Sequence, residues 1–210
     1  TTTGTDAITV TMAAASTAAA DLNTIDGKTS VAVGATAITE LTGNATNIKT
    51  ALASSGITTV TNGSLAVTVS GSTSVADINT INADSATGIV TATATETAAA
   101  TLIGLTTTGT DAITVTMAAA STAAADLNTI DGKTSVAVGA AAITALTGTA
   151  ADIKLALASS GITTVTNNSL AVNVNSGTAS VADINIINAD SATGIVTATA
   201  TETAAATLIG

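Results

Sequence analysis

Two kinds of apolar spacing alternate along the chain. Short β-branched runs begin at Ile8 (Ile-Thr-Val-Thr), Val31 (Val-Ala-Val), Leu65 (Leu-Ala-Val-Thr-Val), Ile89 (Ile-Val-Thr-Ala-Thr) and again at Ile113. Such runs predict short strands. The steps between their starts are nearly equal except for the longer one from Val31 to Leu65, and the equal steps set the length of one coil. Between them lie Ala-rich segments whose apolar residues fall three or four apart: Ala18, Leu22 and Ile25; Ile48, Ala51 and Leu52; Val75, Ile78 and Ile81; Ala99, Leu102 and Ile103. That spacing predicts short helices with one buried stripe.

Chemical markers agree with these boundaries. Ser74 and Asp77 place a hydroxyl at an N-cap and a carboxylate three positions on, where it meets freed amides and the positive end of the helix dipole; Ser180 and Asp183 repeat the pair. Asp26-Gly27, Asn82-Ala83-Asp84 and Gly104 mark helix ends. Each coil therefore reads strand, turn, short helix, turn.

The pattern is written twice. Thr1–Ala35 recurs letter for letter as Thr106–Ala140, and Val75–Gly104 recurs as Val181–Gly210 except that Thr80 becomes Ile186. Leu105 has no counterpart after Gly210, so the sequence reads as an excerpt of a longer array, with residues 1–105 and 106–210 as successive units of a continuous rod. A helix of two or three turns and a strand of four or five positions are each marginal alone. Both gain stability if successive coils stack strand on strand and helix on helix. The expected fold is an α/β repeat, a right-handed β/α solenoid of about four coils per 105-residue unit. The rival is a string of immunoglobulin-like β-sandwich domains of similar size, against which stand the poor strand material of Ala13–Ala20 and the lack of a core Trp.

The long step from Val31 to Leu65 fits this scheme worst. Ile57–Thr68 alternates around Asn62-Gly63, a strong hairpin signal, so either an extra hairpin projects here or Ile57 starts the strand and 61–70 forms a bulge. The second copy carries Asn167-Asn168 and one inserted residue near Asn175, as an outer loop would tolerate.

Composition narrows the chemistry. The chain has no Phe, Tyr, Trp, Cys, Pro, His or Arg, its four cations are Lys28, Lys49, Lys133 and Lys154, and its net charge is −10. A core of Ala, Val, Ile and Leu alone requires layers that lie close together. The negative charge and missing aromatics exclude nucleic-acid partners. No apolar run approaches a membrane span. Without His or Cys no acid/base or nucleophilic constellation assembles, and the chain reads as a non-enzyme.

Calcium is the one cofactor left open. Asn82-Ala83-Asp84-Ser85-Ala86-Thr87-Gly88 spaces oxygens like the start of a calcium loop, and Asp6 stands in Gly4-Thr5-Asp6-Ala7-Ile8, making Asn82, Asp84 and Asp6 the candidate ligands. Ala86 replaces a ligand and no bidentate Glu follows, which favours turn and capping roles. Thr9/Thr11 and Thr91/Thr93/Thr95 would share a strand face and form an array suited to ice or polysaccharide, interrupted by Ala32 and Gly34, with Asn173 in place of Thr68.

Differences between the copies are more informative. Thr50 becomes Leu155, Thr80 becomes Ile186 and Glu40 becomes Ala145. If these helix positions face outward, Leu155 and Ile186 form an assembly surface.

Finally, Ala-Asp-Ile-Asn-Thr-Ile-Asn-Ala-Asp, Thr-Gly-Ile-Val-Thr-Ala-Thr and Leu-Thr-Gly-Thr-Ala-Ala-Asp-Ile-Lys resemble the tandem repeats of giant bacterial, cyanobacterial-type, extracellular surface proteins and adhesins. The resemblance implies a self-assembling scaffold at the cell surface: a filament, sheath, surface layer (S-layer) or adhesin stalk. Its partners would be copies of itself, end to end or laterally, and surface polysaccharide, without membrane insertion.

Overall fold

The computed structural model describes residues 1–58, 65–85, 88–163, 170–175, 177–191 and 194–208. The Asn62-Gly63 turn, its counterpart Asn167-Asn168, and Ala86 and Thr87 of the candidate calcium loop lie outside them. The protein is mixed α/β with parallel sheets. In chain order the elements are β1 (Ser16–Ala18), α1 (Ala19–Asp26), β2 (Val33–Gly34), β3 (Glu40–Gly43), α2 (Ala45–Ala53), β4 (Ile57–Thr58), β5 (Ala66–Thr73), α3 (Val75–Asp84) and β6 (Val90–Ala94). They continue with α4 (Ala99–Leu102), β7 (Ala112–Thr114), β8 (Ser121–Ala123), α5 (Ala124–Asp131), β9 (Val138–Gly139), β10 (Ala145–Gly148) and α6 (Ala150–Ala158). The last are β11 (Ile162–Thr163), β12 (Ala171–Val174), α7 (Val181–Asp190), β13 (Val196–Thr197) and α8 (Ala205–Leu208).

Two compact units divide these elements. The first holds Thr1–Thr95 with Leu105–Thr114, and the second holds Glu96–Gly104 with Val115–Gly210. The division thus crosses the letter repeat, since 96–104 join the second unit and 105–114 the first.

The first unit contains a parallel sheet in the order β1-β3-β5-β6-β7 and a second, two-stranded one of β2 and β4. Thr17, Leu41, Val67 and Val90 stand in one row of the larger sheet, at nearly even steps along the chain. All four are buried, while Thr42, Thr68 and Thr91, one position along, are half-buried or exposed. This is the two-residue alternation of a sheet with one covered face. α1, α2 and α3 cover it, with Leu22, Ile48 and Ile78, the fourth residue of each helix, buried completely. The second unit repeats the arrangement with sheets β13-β12-β10-β8 and β11-β9 and with Leu127 and Ile153 fully buried.

All four expected helical stripes of the first copy form helices. Their capping chemistry is present too: the Ser74 and Ser180 hydroxyls accept from the Asp77 and Asp183 amides at 3.1 and 3.0 Å. Asn44 and Thr149, which the sequence reading does not single out, cap α2 and α6 in the same way. Gly43 and Gly148 precede those caps at φ 148° and 141°, where a residue with a Cβ is strained.

The strands are phased differently from expectation. Ser16–Ala18, inside the stretch read as poor strand material, is β1, and Glu40–Gly43 supplies β3. Ile8–Thr11, expected as a strand, contributes only a bridge from Thr11 to Gly34, although the same letters form β7 at Ala112–Thr114. A neighbouring strand in register decides these cases over intrinsic preference. Between 57 and 73, Ile57–Thr58 pairs with β2 and Ala66–Gly71 runs within β5, whose register to β6 shifts between Thr68 and Ser72.

Candidate assembly surface

Equivalent positions of the helices do equivalent work. The fifth residue of α1 and of α2 reaches the third residue of the following helix: the Asn23 amide donates to the Asn47 carbonyl at 3.0 Å, and Lys49 pairs with Asp77. In the second unit the Asn128 amide donates to the Asp152 carbonyl at 3.0 Å and Lys154 pairs with Asp183. A second tie joins helix ends, where the Ser54 hydroxyl donates to the Asp26 carboxylate at 2.8 Å and the Ser159 hydroxyl to Asp131 at 2.9 Å. Two of the four cations are thus committed to holding one helix to its neighbour.

Those ion pairs affect two titrations. The hydrogen bond from Lys49 holds the Asp77 carboxyl below its ordinary value, helped by the Ser74 and Thr73 hydroxyls, and Lys154 does the same for Asp183. A carboxyl depressed by folding adds stability that is present above its unfolded-state value and is lost as pH falls through the folded one. Asp77→Asn should therefore lower the thermal midpoint at neutral pH and flatten its fall on acidification. The two side chains are 34% and 35% exposed, so water screens the pair and the change is small. An unchanged acid limb in a pH series of melting curves would refute it.

The sixth residue of each of the longer helices, α1, α2, α3, α5, α6 and α7, faces solvent. In the first unit it is threonine three times, and each hydroxyl donates to a carbonyl one turn back: Thr24 to Ala20 at 2.8 Å, Thr50 to Thr46 at 2.9 Å and Thr80 to Ala76 at 3.0 Å. The second unit keeps only Thr129, then places Leu155 and Ile186, 60% and 47% exposed, at this position of the adjacent helices α6 and α7. These two substitutions therefore fall on the outer surface, on neighbouring helices, whereas the change from Glu40 to Ala145 falls at a half-buried strand position. Ile195 (77% exposed) and Ile89 (51%), the latter the start of an expected strand run, are further open apolar residues. Their place at the ends of strand runs gave no signal of exposure.

The threonine array is split between two sheets and does not lie on one face. Thr42, Thr68 and Thr91 follow one another across β3, β5 and β6, flanked by Ala18 and Ala112. Thr11 belongs to the other sheet, where Gly34 separates it from Thr58. Asn173 takes the place of Thr68 between Thr147 and Thr197. In the first unit Glu40 braces its row by accepting from Thr68 at 2.7 Å; Thr68 first and Ser16 second hold its carboxyl below the ordinary range. Ala145 removes that brace from the second unit.

None of the calcium candidates is gathered into a cluster of three or more acidic residues among the described residues. Asp6 accepts from the Thr3 amide at 2.6 Å and from its hydroxyl at 3.3 Å, closing a turn. Asn82 donates to the Thr106 carbonyl at 3.2 Å, and Asp84 is exposed at the end of α3. Among the described residues no helix is long and apolar enough to cross a membrane.

No family model, curated protein or solved structure matches the chain. The residues themselves therefore carry the functional argument.

Proposed function

We propose that this chain is a non-catalytic structural repeat module that works by stacking and self-association, in an extracellular fibre, sheath, surface layer or adhesin stalk. Each unit is then a set of stacked coils of a right-handed β/α solenoid, about four per 105-residue repeat. One observation carries the reading: the tie from the fifth residue of a helix to the third of the next recurs in both units, so side chains that could do chemistry are spent on holding coils together. Parallel rows whose members recur at nearly even steps along the chain support the coil period. Right-handed crossover is the strong preference for parallel strands joined through helices. The extracellular setting rests on the resemblance of the repeats to those of giant surface proteins.

Leu155 and Ile186 are the lateral contact in this reading, since two adjacent apolar side chains replace a row of internally satisfied hydroxyls. Electron microscopy of the purified chain should show filaments or sheets. Leu155→Thr with Ile186→Thr should disperse their lateral packing and leave the circular dichroism spectrum unchanged, because both side chains are open to solvent. Unchanged packing in the double variant would remove this surface from the proposal.

A second reading has its own observation. The row Thr42, Thr68 and Thr91 presents regularly spaced hydroxyls, which suits ice or a polysaccharide; thermal hysteresis and glycan-binding assays of Thr91→Val test it.

A further inference from the structure

One hydroxyl on the covered face of the second unit's larger sheet has nothing to bond. Thr122 in β8 stands in the row that Leu146 and Val172 continue in β10 and β12. It is only 4% exposed, and its side chain has no hydrogen-bond partner among the described residues. A buried hydroxyl without a partner costs free energy that a valine of the same shape would not.

Thr122 lines a cavity of about 320 Å³ between the first turns of α4 and α5, a volume at the small end of ligand sites. Ala99, Ala100 and Met117 give it an apolar wall, and Thr97 and Ser121, both exposed, add two more hydroxyls. α5 opens at Ala123, which has no side-chain oxygen to cap it. The amides of its first turn therefore have neither an intrahelical acceptor nor a capping group. Such an end attracts an acceptor oxygen. Asp126, at the third position of α5, also lines the cavity and already supplies the negative charge that the helix dipole favours, so it repels an anion.

We propose that this cavity binds the acetamido group of an N-acetylated sugar. The group is neutral, so Asp126 does not reject it. Its carbonyl oxygen accepts from the α5 amides, its N–H donates to the Thr122 hydroxyl, and its methyl lies against Ala99, Ala100 and Met117. The sugar ring then meets the hydroxyls of Thr97 and Ser121, which favours a sugar over an acetylated protein side chain. The site shares no residue with the threonine rows, and it stands whether or not the chain self-associates.

Methionine methyl NMR tests it, since the two methionines of the chain are Met12 and Met117 and only Met117 lines the cavity. Titration with N-acetylglucosamine should move the Met117 signal and leave Met12 in place. Glucose, which lacks the acetamido group, and acetate, an anion, should move neither. Thr122→Val should weaken binding about fivefold, the worth of one hydrogen bond. Its thermal midpoint should stay level or rise, because the unpaired hydroxyl is gone, whereas a threonine that braced the core would lower it. A Met117 signal that ignores N-acetylglucosamine, or that moves as far with glucose or acetate, would overturn the site. Tighter binding of Nε-acetyllysine than of the sugar would overturn the choice of ligand.

Discussion

Alanine at Ile78 should cost about 2–5 kcal/mol, the loss for a buried isoleucine whose cavity cannot collapse. Ile78 is fully buried on α3 behind the row of Leu41, Val67 and Val90. α3 packs on β5 and β6 on one side and on α2 on the other, where Lys49 pairs with Asp77. The matched change Ile184→Ala removes the same atoms from the same place on α7. Ile184 is only half-buried, so the cost there should be clearly smaller. Urea unfolding followed by circular dichroism checks both, and equal costs would mean that the exposure of the α7 face does not persist in solution. Because units of stacked repeats can unfold separately, the first-unit transition is the one to compare.

The second large effect is expected at a glycine that no turn rule explains. A Cβ on Gly88 would overlap the Leu65 carbonyl and lie 3.1 Å from the Leu65 nitrogen, and both groups are main chain. Side chains can swing away from such an intrusion, but a strand backbone held by its ladder cannot. Gly88→Ala should therefore cost at least the roughly 1–3 kcal/mol typical of overpacking, with β6 displaced from β5. Gly194 faces Leu170 in the same way, so Gly194→Ala should do likewise in the second unit. Gly71→Ala is the control. It has φ +75° and open space around it, so it should cost only the roughly 1–2 kcal/mol of left-handed strain. Thermal melts that rank Gly71→Ala above Gly88→Ala would show that the approach of residue 88 to Leu65 is looser than described.

Helices were the legible part of this sequence, because a stripe such as Val75, Ile78 and Ile81 is a local signal and Ser74 marks its start. Strand phase was not. Ser16-Thr17-Ala18 carries no β-branched alternation, and it becomes β1 because Thr17 lines up with Leu41, which lies far along the chain beyond α1 and β2. Ile8–Thr11 has the better strand composition and forms only a bridge, since no strand among the described residues lies against Ile8. The outward position of Leu155 and Ile186 could be guessed by comparing the copies. The ties from Asn23 to Asn47 and from Lys49 to Asp77 could not, because they depend on which helices stack.

The residue inserted near Asn175 carries one more consequence. It lengthens the chain between Lys154 and Asp183 by one position relative to that between Lys49 and Asp77, yet both pairs form. Beyond it, the Thr201 amide still donates to the Ala179 carbonyl at 2.9 Å, as Thr95 does to Thr73. Spacing between neighbouring helices is thus set by helix-to-helix contact and not counted along the backbone. Foreign peptide spliced into that link would travel as passenger, so the chain could be lengthened, decorated or recombined there while every helix keeps its neighbour.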